Sequence, residues 1–319
     1  MCGCGPSNSN DAGASNANAK KPRKITVALD WSPEPDYLGI YYAKELGLFE
    51  KVGAEVEILE GRGSNLSAAS VAAEKYPLAF CSGGATVLSF NSTSNLISLA
   101  VLYPKVPTVA FGMASEQVKT IFDLRGKRVG IYPGSINNNE WAAFLLANNL
   151  DPKEFATVIA ISGPDLPLIK AKQVDAVLNY APMSPTALEL DPSLPEVNGK
   201  RTFEFPLADY GVKAYGLNLV TSKQSLKVDG ELLRRVVSAI CDGYRLGCAN
   251  PDAAVNAFCK VFPEKDPAYV KRGWAKVCAM VSSQASVGQQ TDRGWRETIE
   301  TYQKLGLLQK ELQPKDLLP

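Results

Sequence analysis

Asp30, Trp31, Ser32 and Tyr37 are the residues of this chain best equipped to hold a small molecule. A carboxylate accepts hydrogen bonds, an indole offers a flat apolar face, and hydroxyl and phenol groups both donate and accept. Together they suit a planar, nitrogen-bearing solute. They follow an apolar, β-branched run from Ile25 to Leu29 and flank Pro33 and Pro35. The prolines prevent strand or helix from continuing there. The two aromatics also read as ordinary packing residues, since Trp and Tyr fill cores more often than they serve as platforms.

Reactive chemistry is largely excluded. The 319 residues include no histidine, which removes serine–histidine and cysteine–histidine nucleophiles and every histidine-ligated metal site. Cys2 and Cys4 stand near the start, and Cys81, Cys241, Cys248, Cys259 and Cys278 lie in the body. Without a CxxC pair, a zinc ribbon or thioredoxin-type site has no support. Cys241 and Cys248 fall about 10 Å apart along one helix, too far to pair with each other. Either can pair with Cys259 or Cys278 on an adjacent helix, and buried free thiols are the alternative. No GxGxxG or GxxxxGK[ST] pattern supports a nucleotide fold. Lys and Arg total 34 against 33 Asp and Glu, so charge gives no argument for nucleic acid. No apolar run approaches the roughly 20 residues needed to span a bilayer. The reading is of a binding protein rather than an enzyme, with no catalytic residue, metal or cofactor.

The elements that position these groups are strand-to-helix junctions. After the first strand, Asp36 is the expected cap of a helix through Tyr37, Ile40, Tyr41 and Ala43, ending at Gly47. Val56 and Ile58 begin a second strand. Ser64 or Asn65 is expected to cap the next helix, and Leu78 to Cys81 forms a strand. Ser82-Gly83-Gly84 then opens another helix, whose N-terminal N–H groups can hold an acceptor. The glycines also suit a plain tight turn. A third junction runs from Tyr132 through Ser135 into a helix carrying Trp141 and Phe144, with Ser135 or Asn137 as cap. A strand from Asp175 to Leu178 ends in Asn179-Tyr180, and Asp209 and Tyr215 precede a return strand, Leu217 to Val220. Beyond Gly230 the chain reads as helical over 232–248, 251–261, 267–282 and 292–304. In open sheets of such units, ligands sit at the carboxyl ends of the strands.

Several stretches carry a family resemblance: LDWSPEPDYLGIYYAKELGLFEKVGAEVEI, FDLRGKRVGIYPGS, IKAKQVDAVLNY, ADYGVKAYGLNLVTS and ANPDAAVNAF with the later Trp295. Over residues 24–308 the chain resembles the extracytoplasmic solute receptors of ABC importers, in the NMT1/THI5-like branch tied to thiamine-pyrimidine precursors. That resemblance implies an α/β fold of the type II periplasmic-binding-protein kind, with two lobes, a mostly parallel sheet in each, and a hinge of two crossings. The crossings are expected near Val109 to Met113 and Leu217 to Thr221. The first lobe then comprises residues 24–110 with 221–319, and the second comprises 111–220. The ligand-binding set it implies is Asp30, Trp31, Ser32, Tyr37, Ser82, Gly83, Gly84, Ser135, Asn179, Tyr180, Asp209 and Tyr215. Asp30, Asp209 and Asn179 also have plain roles open to them, as a turn cap, a solvated surface group and a loop tie.

The implied function is capture of an aromatic nitrogen heterocycle, first a thiamine pyrimidine precursor, for a membrane permease by a monomeric receptor. Riboflavin and alkyl or aryl sulfonates are alternative ligands, and a pyrimidine-precursor synthase on the same scaffold is an alternative activity. Family members commonly carry histidine where this chain has Tyr37. The synthase relatives use a reactive histidine and a cysteine-rich motif, both missing here. Residues 1–23 read as a disordered linker. A cysteine ahead of such a small-residue segment looks like the start of a mature bacterial lipoprotein, with Cys2 lipidated on the outer face of the cytoplasmic membrane; a plain disordered tail is the alternative.

Overall fold

The computed structural model describes Met1 and residues 22–319. Cys2 and most of the expected linker fall outside the described residues. Ten strands form two five-stranded sheets.

The first sheet contains β1 (Arg23–Ala28), β2 (Ala54–Leu59), β3 (Leu78–Ser82) and β4 (Ile97–Val101). Between them run α1 (Leu38–Glu45), α2 (Leu48–Lys51), α3 (Ser64–Ala72) and α4 (Gly83–Thr93). The second sheet contains β5 (Thr108–Met113), β6 (Arg128–Ile131), β7 (Thr157–Ala160), β8 (Ala176–Tyr180) and β9 (Thr202–Pro206). Its helices are α5 (Ile136–Ala147), α6 (Asp165–Lys170) and α7 (Ser184–Glu189). The chain then returns through β10 (Leu217–Thr221) and ends in α8 (Lys223–Ala249), α9 (Pro251–Val261), α10 (Pro267–Val281), α11 (Asp292–Lys304) and α12 (Pro314–Leu317).

The two sheets share one wiring. Their orders are β2-β1-β3-β10-β4 and β7-β6-β8-β5-β9. In each, one strand runs against its neighbours: β10 is antiparallel to β3 and β4, and β5 is antiparallel to β8 and β9. These are the segments expected as crossings, Val109–Met113 and Leu217–Thr221. They are strands inside the sheets because their apolar residues are buried on both faces, as a central strand requires. The chain changes sheet just before each, in residues 102–107 and 211–216.

Packing is continuous between the halves. One apolar cluster joins Val71, Ala85 and Phe90 of the first half to Ile136, Trp141 and Phe144 of the second, with Trp295 and Ile299 of α11 between them. A separate cluster packs α1, α8, α9 and α10 on the outer face of the first sheet. There Cys248 and Cys278 form a disulfide between α8 and α10, leaving Cys81, Cys241 and Cys259 as free thiols. Helix α8 begins earlier than the sequence pattern suggests, at Lys223, and Asp229 inside it departs from helical geometry.

Candidate functional site

The carboxyl ends of β1 and β3 meet at a buried polar network. Asp30, just past β1, is 4% exposed and accepts hydrogen bonds from Tyr37 Oη (2.7 Å) and from Ser64 Oγ. Ser64 Oγ in turn accepts from the backbone N–H of Ser82 at 3.1 Å. Burial pushes the Asp30 carboxyl up, and the Ser64 and Tyr37 hydroxyls partly offset that shift. The Tyr37 phenol is pushed well above its ordinary value by burial and by the Asp30 charge. Two expected caps therefore have other employment. Ser64 follows the cap position and spends its hydroxyl on Asp30. Asp36 lies inside the turn Pro35–Tyr37 and makes no cap bond; Tyr103 Oη donates to it at 2.9 Å, and burial pushes its carboxyl up to about 7.

Trp31 follows directly and is 46% exposed. Its carbonyl accepts from Gly61 N–H at 3.0 Å, and the Asp30 carbonyl accepts from Gly63 N–H at 2.7 Å. These bonds fix the backbone while the indole stands in the open. Ser32, beside it, is half-buried.

Ser82 caps α4, accepting from Ala85 N–H at 3.1 Å. The N–H of Gly83 is taken by the carbonyls of Tyr215 and Gly216 (3.2 and 2.8 Å). The start of α4 is thus already supplied with partners. A Cβ on Gly84 would stand 1.8 Å from Tyr302 Oη, so glycine there lets the α11 phenol lie on the helix backbone. Tyr215 is buried beside Trp295, and its hydroxyl accepts from Thr291 N–H at 2.9 Å, which ties it to the start of α11.

The facing residues come from the second sheet. Tyr180 ends β8 opposite Thr108 of β5 and is buried. Burial pushes its phenol well above the ordinary value, with further upward pressure from the Glu140, Asp30 and Asp36 charges. Thr108 Oγ1 donates to Glu140 Oε2, and Asn137 Nδ2 donates to the Leu178 carbonyl at 3.1 Å. Glu140 is 1% exposed, and burial pushes its carboxyl up to about 7. Its Oε1 and Tyr302 Oη are both buried without a hydrogen-bond partner. Ser135 precedes α5 and accepts from Asn138 Nδ2 at 3.2 Å. Across the seam, Asn65 Nδ2 of α3 donates to the Gly134 carbonyl at 3.3 Å.

Asp30, Tyr37 and Ser82 thus meet in one network through Ser64, Trp31 follows Asp30 in the chain, and Tyr180 ends β8 of the other sheet. Asn179 serves its own loop, donating to Asp165 (2.9 Å) and Ser184 (3.0 Å) and accepting from Tyr180 N–H (2.7 Å). Asp209 is exposed on the turn Leu207–Tyr210, apart from the carboxylate cluster. Glu140 and Tyr302 escaped the sequence reading. The signal for Glu140 was a lone acid at four-residue spacing from Ile136 and Phe144, on the apolar face of a helix. Among the described residues, none of Asp30, Asp36 and Glu140 is ion-paired with a Lys or Arg. No cluster of metal-binding side chains occurs among them either. Two shallow grooves of about 220 and 230 Å³ flank α8 on the outer face, away from the seam.

Two sheets of matching order, each with one reversed strand supplied by a crossing, define the periplasmic-binding-protein fold. The alkanesulfonate-binding protein SsuA of Xanthomonas axonopodis, solved with MOPS, superposes with a TM-score of 0.71 at 16% identity, over 94% of this chain and 99% of that one. The desulfurization enzyme DszB shares the fold at a TM-score of 0.58 and 14% identity, over 93% and 96% of the chains. The family model described as NMT1/THI5 like matches residues 34–254, and the chain belongs to that family. A Haemophilus influenzae protein provisionally named for thiamine biosynthesis is 26% identical over 92% of this chain and 90% of its own. A riboflavin-binding protein, RibY, of Chloroflexus aurantiacus is 24% identical over 76% and 67%. A formylaminopyrimidine-binding protein of Halalkalibacterium halodurans is 25% identical over 73% and 68%.

Proposed function

We propose that this chain is the extracytoplasmic solute receptor of an ABC importer and captures a flat nitrogen heterocycle, with an aminopyrimidine thiamine precursor as first ligand. The observation that carries the reading is a half-exposed indole beside buried carboxylates that have no cationic partner. Such a seam suits a ligand that brings N–H donors or positive charge. Stacking on Trp31 is worth on the order of 1 kcal/mol beyond burial. A hydrogen bond to a carboxylate adds about 1.5–3 kcal/mol. A sulfonate would instead bring an anion into a water-poor setting whose carboxyls have no cation beside them, at high cost. The relatives named for formylaminopyrimidine and riboflavin binding point the same way.

Binding without turnover is favoured by the side chains present. The chain has no histidine, and burial pushes the Cys81 thiol up to about 12, far from a thiolate nucleophile. Glu140 is buried, so a ligand reaching it enters while the lobes are apart and is enclosed as they close. A permease would then read the closed form, with the receptor acting as a monomer. The Cys248–Cys278 disulfide supports an oxidising compartment outside the cytoplasm. No helix of the described residues is long and apolar enough to cross a membrane. A lipid on Cys2 would hold the receptor at the outer face of the membrane.

Calorimetric titration with aminopyrimidines, riboflavin and an aliphatic sulfonate tests the assignment. Binding of an aminopyrimidine, or of the flavin in second place, is expected. Binding of the sulfonate alone overturns the ligand class. A product formed on incubation with a pyrimidine precursor and pyridoxal phosphate overturns the assignment as a receptor.

A further inference from the structure

We infer that Glu140 and Tyr302 together recognise the edge of the heterocycle, reading a hydrogen-bond donor set next to an acceptor. This rests on the proposal that the seam between the lobes is the ligand site.

The two groups come from opposite sides. Glu140 stands on α5 behind the second sheet, and Tyr302 stands on α11, packed against Gly84 at the start of α4. Each has one buried polar atom with nothing to bond: Oε1 of the acid and Oη of the phenol. Their helices pack together: Trp141 and Phe144 of α5 share one apolar cluster with Ile299 and Tyr302 of α11. Buried polar groups are almost always partnered, and an orphan in a native fold calls for a missing partner. Two orphans on packed helices, one from each half of the molecule, call for a partner that both can reach.

The chemistry of that partner follows from the donor count. The second Glu140 oxygen accepts from Thr108, so in the carboxylate form, which a ligand N–H favours, Oε1 is left to accept. The phenol has its proton to give. A ligand edge that satisfies both carries N–H beside a bare ring nitrogen or carbonyl oxygen, as in the amino-substituted edge of a pyrimidine or the imide edge of a flavin. Tyr180, Asp30 and Asp36 line the same region, and none of them supplies the bond that either orphan lacks. A ligand with a hydrogen atom in place of the amino group leaves Glu140 unpaired and is penalised.

The test uses the full chain, with calorimetry against an aminopyrimidine bearing hydroxymethyl and methyl groups and against the same ring lacking the amino group. The unaltered protein is expected to prefer the amino form at least tenfold. Glu140→Gln turns an amide N–H toward the ligand and is expected to abolish that preference, while Tyr302→Phe weakens both compounds about five- to tenfold. Unliganded melting of Tyr302→Phe is expected to match or exceed that of the parent, since it loses an unpaired buried hydroxyl, and Glu140→Gln to stay near it, since a neutral amide replaces a buried ionisable carboxyl; if one variant fails to fold, the other carries the test. Preference retained in Glu140→Gln, or unchanged affinity in Tyr302→Phe, overturns the inference while leaving the receptor assignment intact. A crystal structure of the complex with an ordered water bridging Glu140 and Tyr302, and the ligand elsewhere in the seam, does the same. Failure of the parent to bind either pyrimidine or riboflavin overturns the ligand class proposed above, and this inference falls with it.

Discussion

Asp30 and Glu140 are both buried carboxylates beside the seam, one from each half of the molecule, yet their hydrogen bonding differs. Asp30 has both oxygens engaged, by Tyr37 and Ser64. Glu140 has one oxygen engaged by Thr108 and one left bare. Around Asp30 the donors are drawn from α3 and from the turn after β1, so the acid stitches one lobe together. On the other side of Glu140, α11 packs against α5 and carries the unused hydroxyl of Tyr302. Burial and a raised pKa are common to both, so neither property separates a group that builds the scaffold from one free to meet a ligand. The count of satisfied lone pairs does separate them.

That contrast can be broken at its strongest point first. Asp30→Ala removes the acceptor of two buried hydroxyls and is expected to cost about 4 kcal/mol of stability in urea unfolding. A loss below about 1 kcal/mol would show that the network is no scaffold. Next comes pH. Glu140 and Asp36 have folded pKa values of about 7, above the ordinary 4.5 and 3.8. Their folded carboxyls hold protons that the unfolded chain has released. Their contribution is therefore fully present below the unfolded values and is lost as pH rises to about 7. Each is worth on the order of 3 kcal/mol across that window. The urea midpoint of the unliganded protein should fall faster between pH 4.5 and 7 in the parent than in Glu140→Gln, and parallel profiles would contradict the raised value.

Smaller effects sharpen the picture. Gly84→Ala places a methyl 1.8 Å from Tyr302 Oη and is expected to cost about 2 kcal/mol by overpacking. Adding Tyr302→Phe should recover about half of it, a coupling that additive melting shifts would exclude. The smallest effect belongs to the ion pairs of α10, where Arg272 meets Glu189 and Lys276 meets Glu189 and Glu204 of the second half. Replacing both cations by alanine should change stability by less than about 1 kcal/mol. The expected readout is a larger radius of gyration in small-angle scattering at low salt, and an unchanged radius would remove these pairs from the control of closure.

Much of the scaffold was legible because local rules and tertiary fate agree. The helices Pro251–Val261 and Asp292–Lys304 match their sequence signals to the residue, one opened by a proline and the other by a Thr cap. The site was legible only where the signal is local: Trp31 after an interrupted strand, Ser82 before a helix, Tyr180 at a strand end. Ser64 and Asp36 look like caps in sequence, but their partners, Asp30 and Tyr103, come from elsewhere in the fold. Tyr215 and Asp209 sit near a strand end, yet packing on α11 claims one and solvent the other. Glu140 and Tyr302 are 162 residues apart in numbering, and no local pattern announces that pairing.

The reversed strand β10 lies between β3 and β4, bonded to both. Until residue 217 is available, the first sheet has a gap at its middle, although its other four strands are complete by residue 101. During synthesis the leading half therefore waits for a strand made much later. Such late insertion raises the sequence separation of the sheet's contacts, so completion of this lobe is set by a long-range closure rather than by its own leading segment.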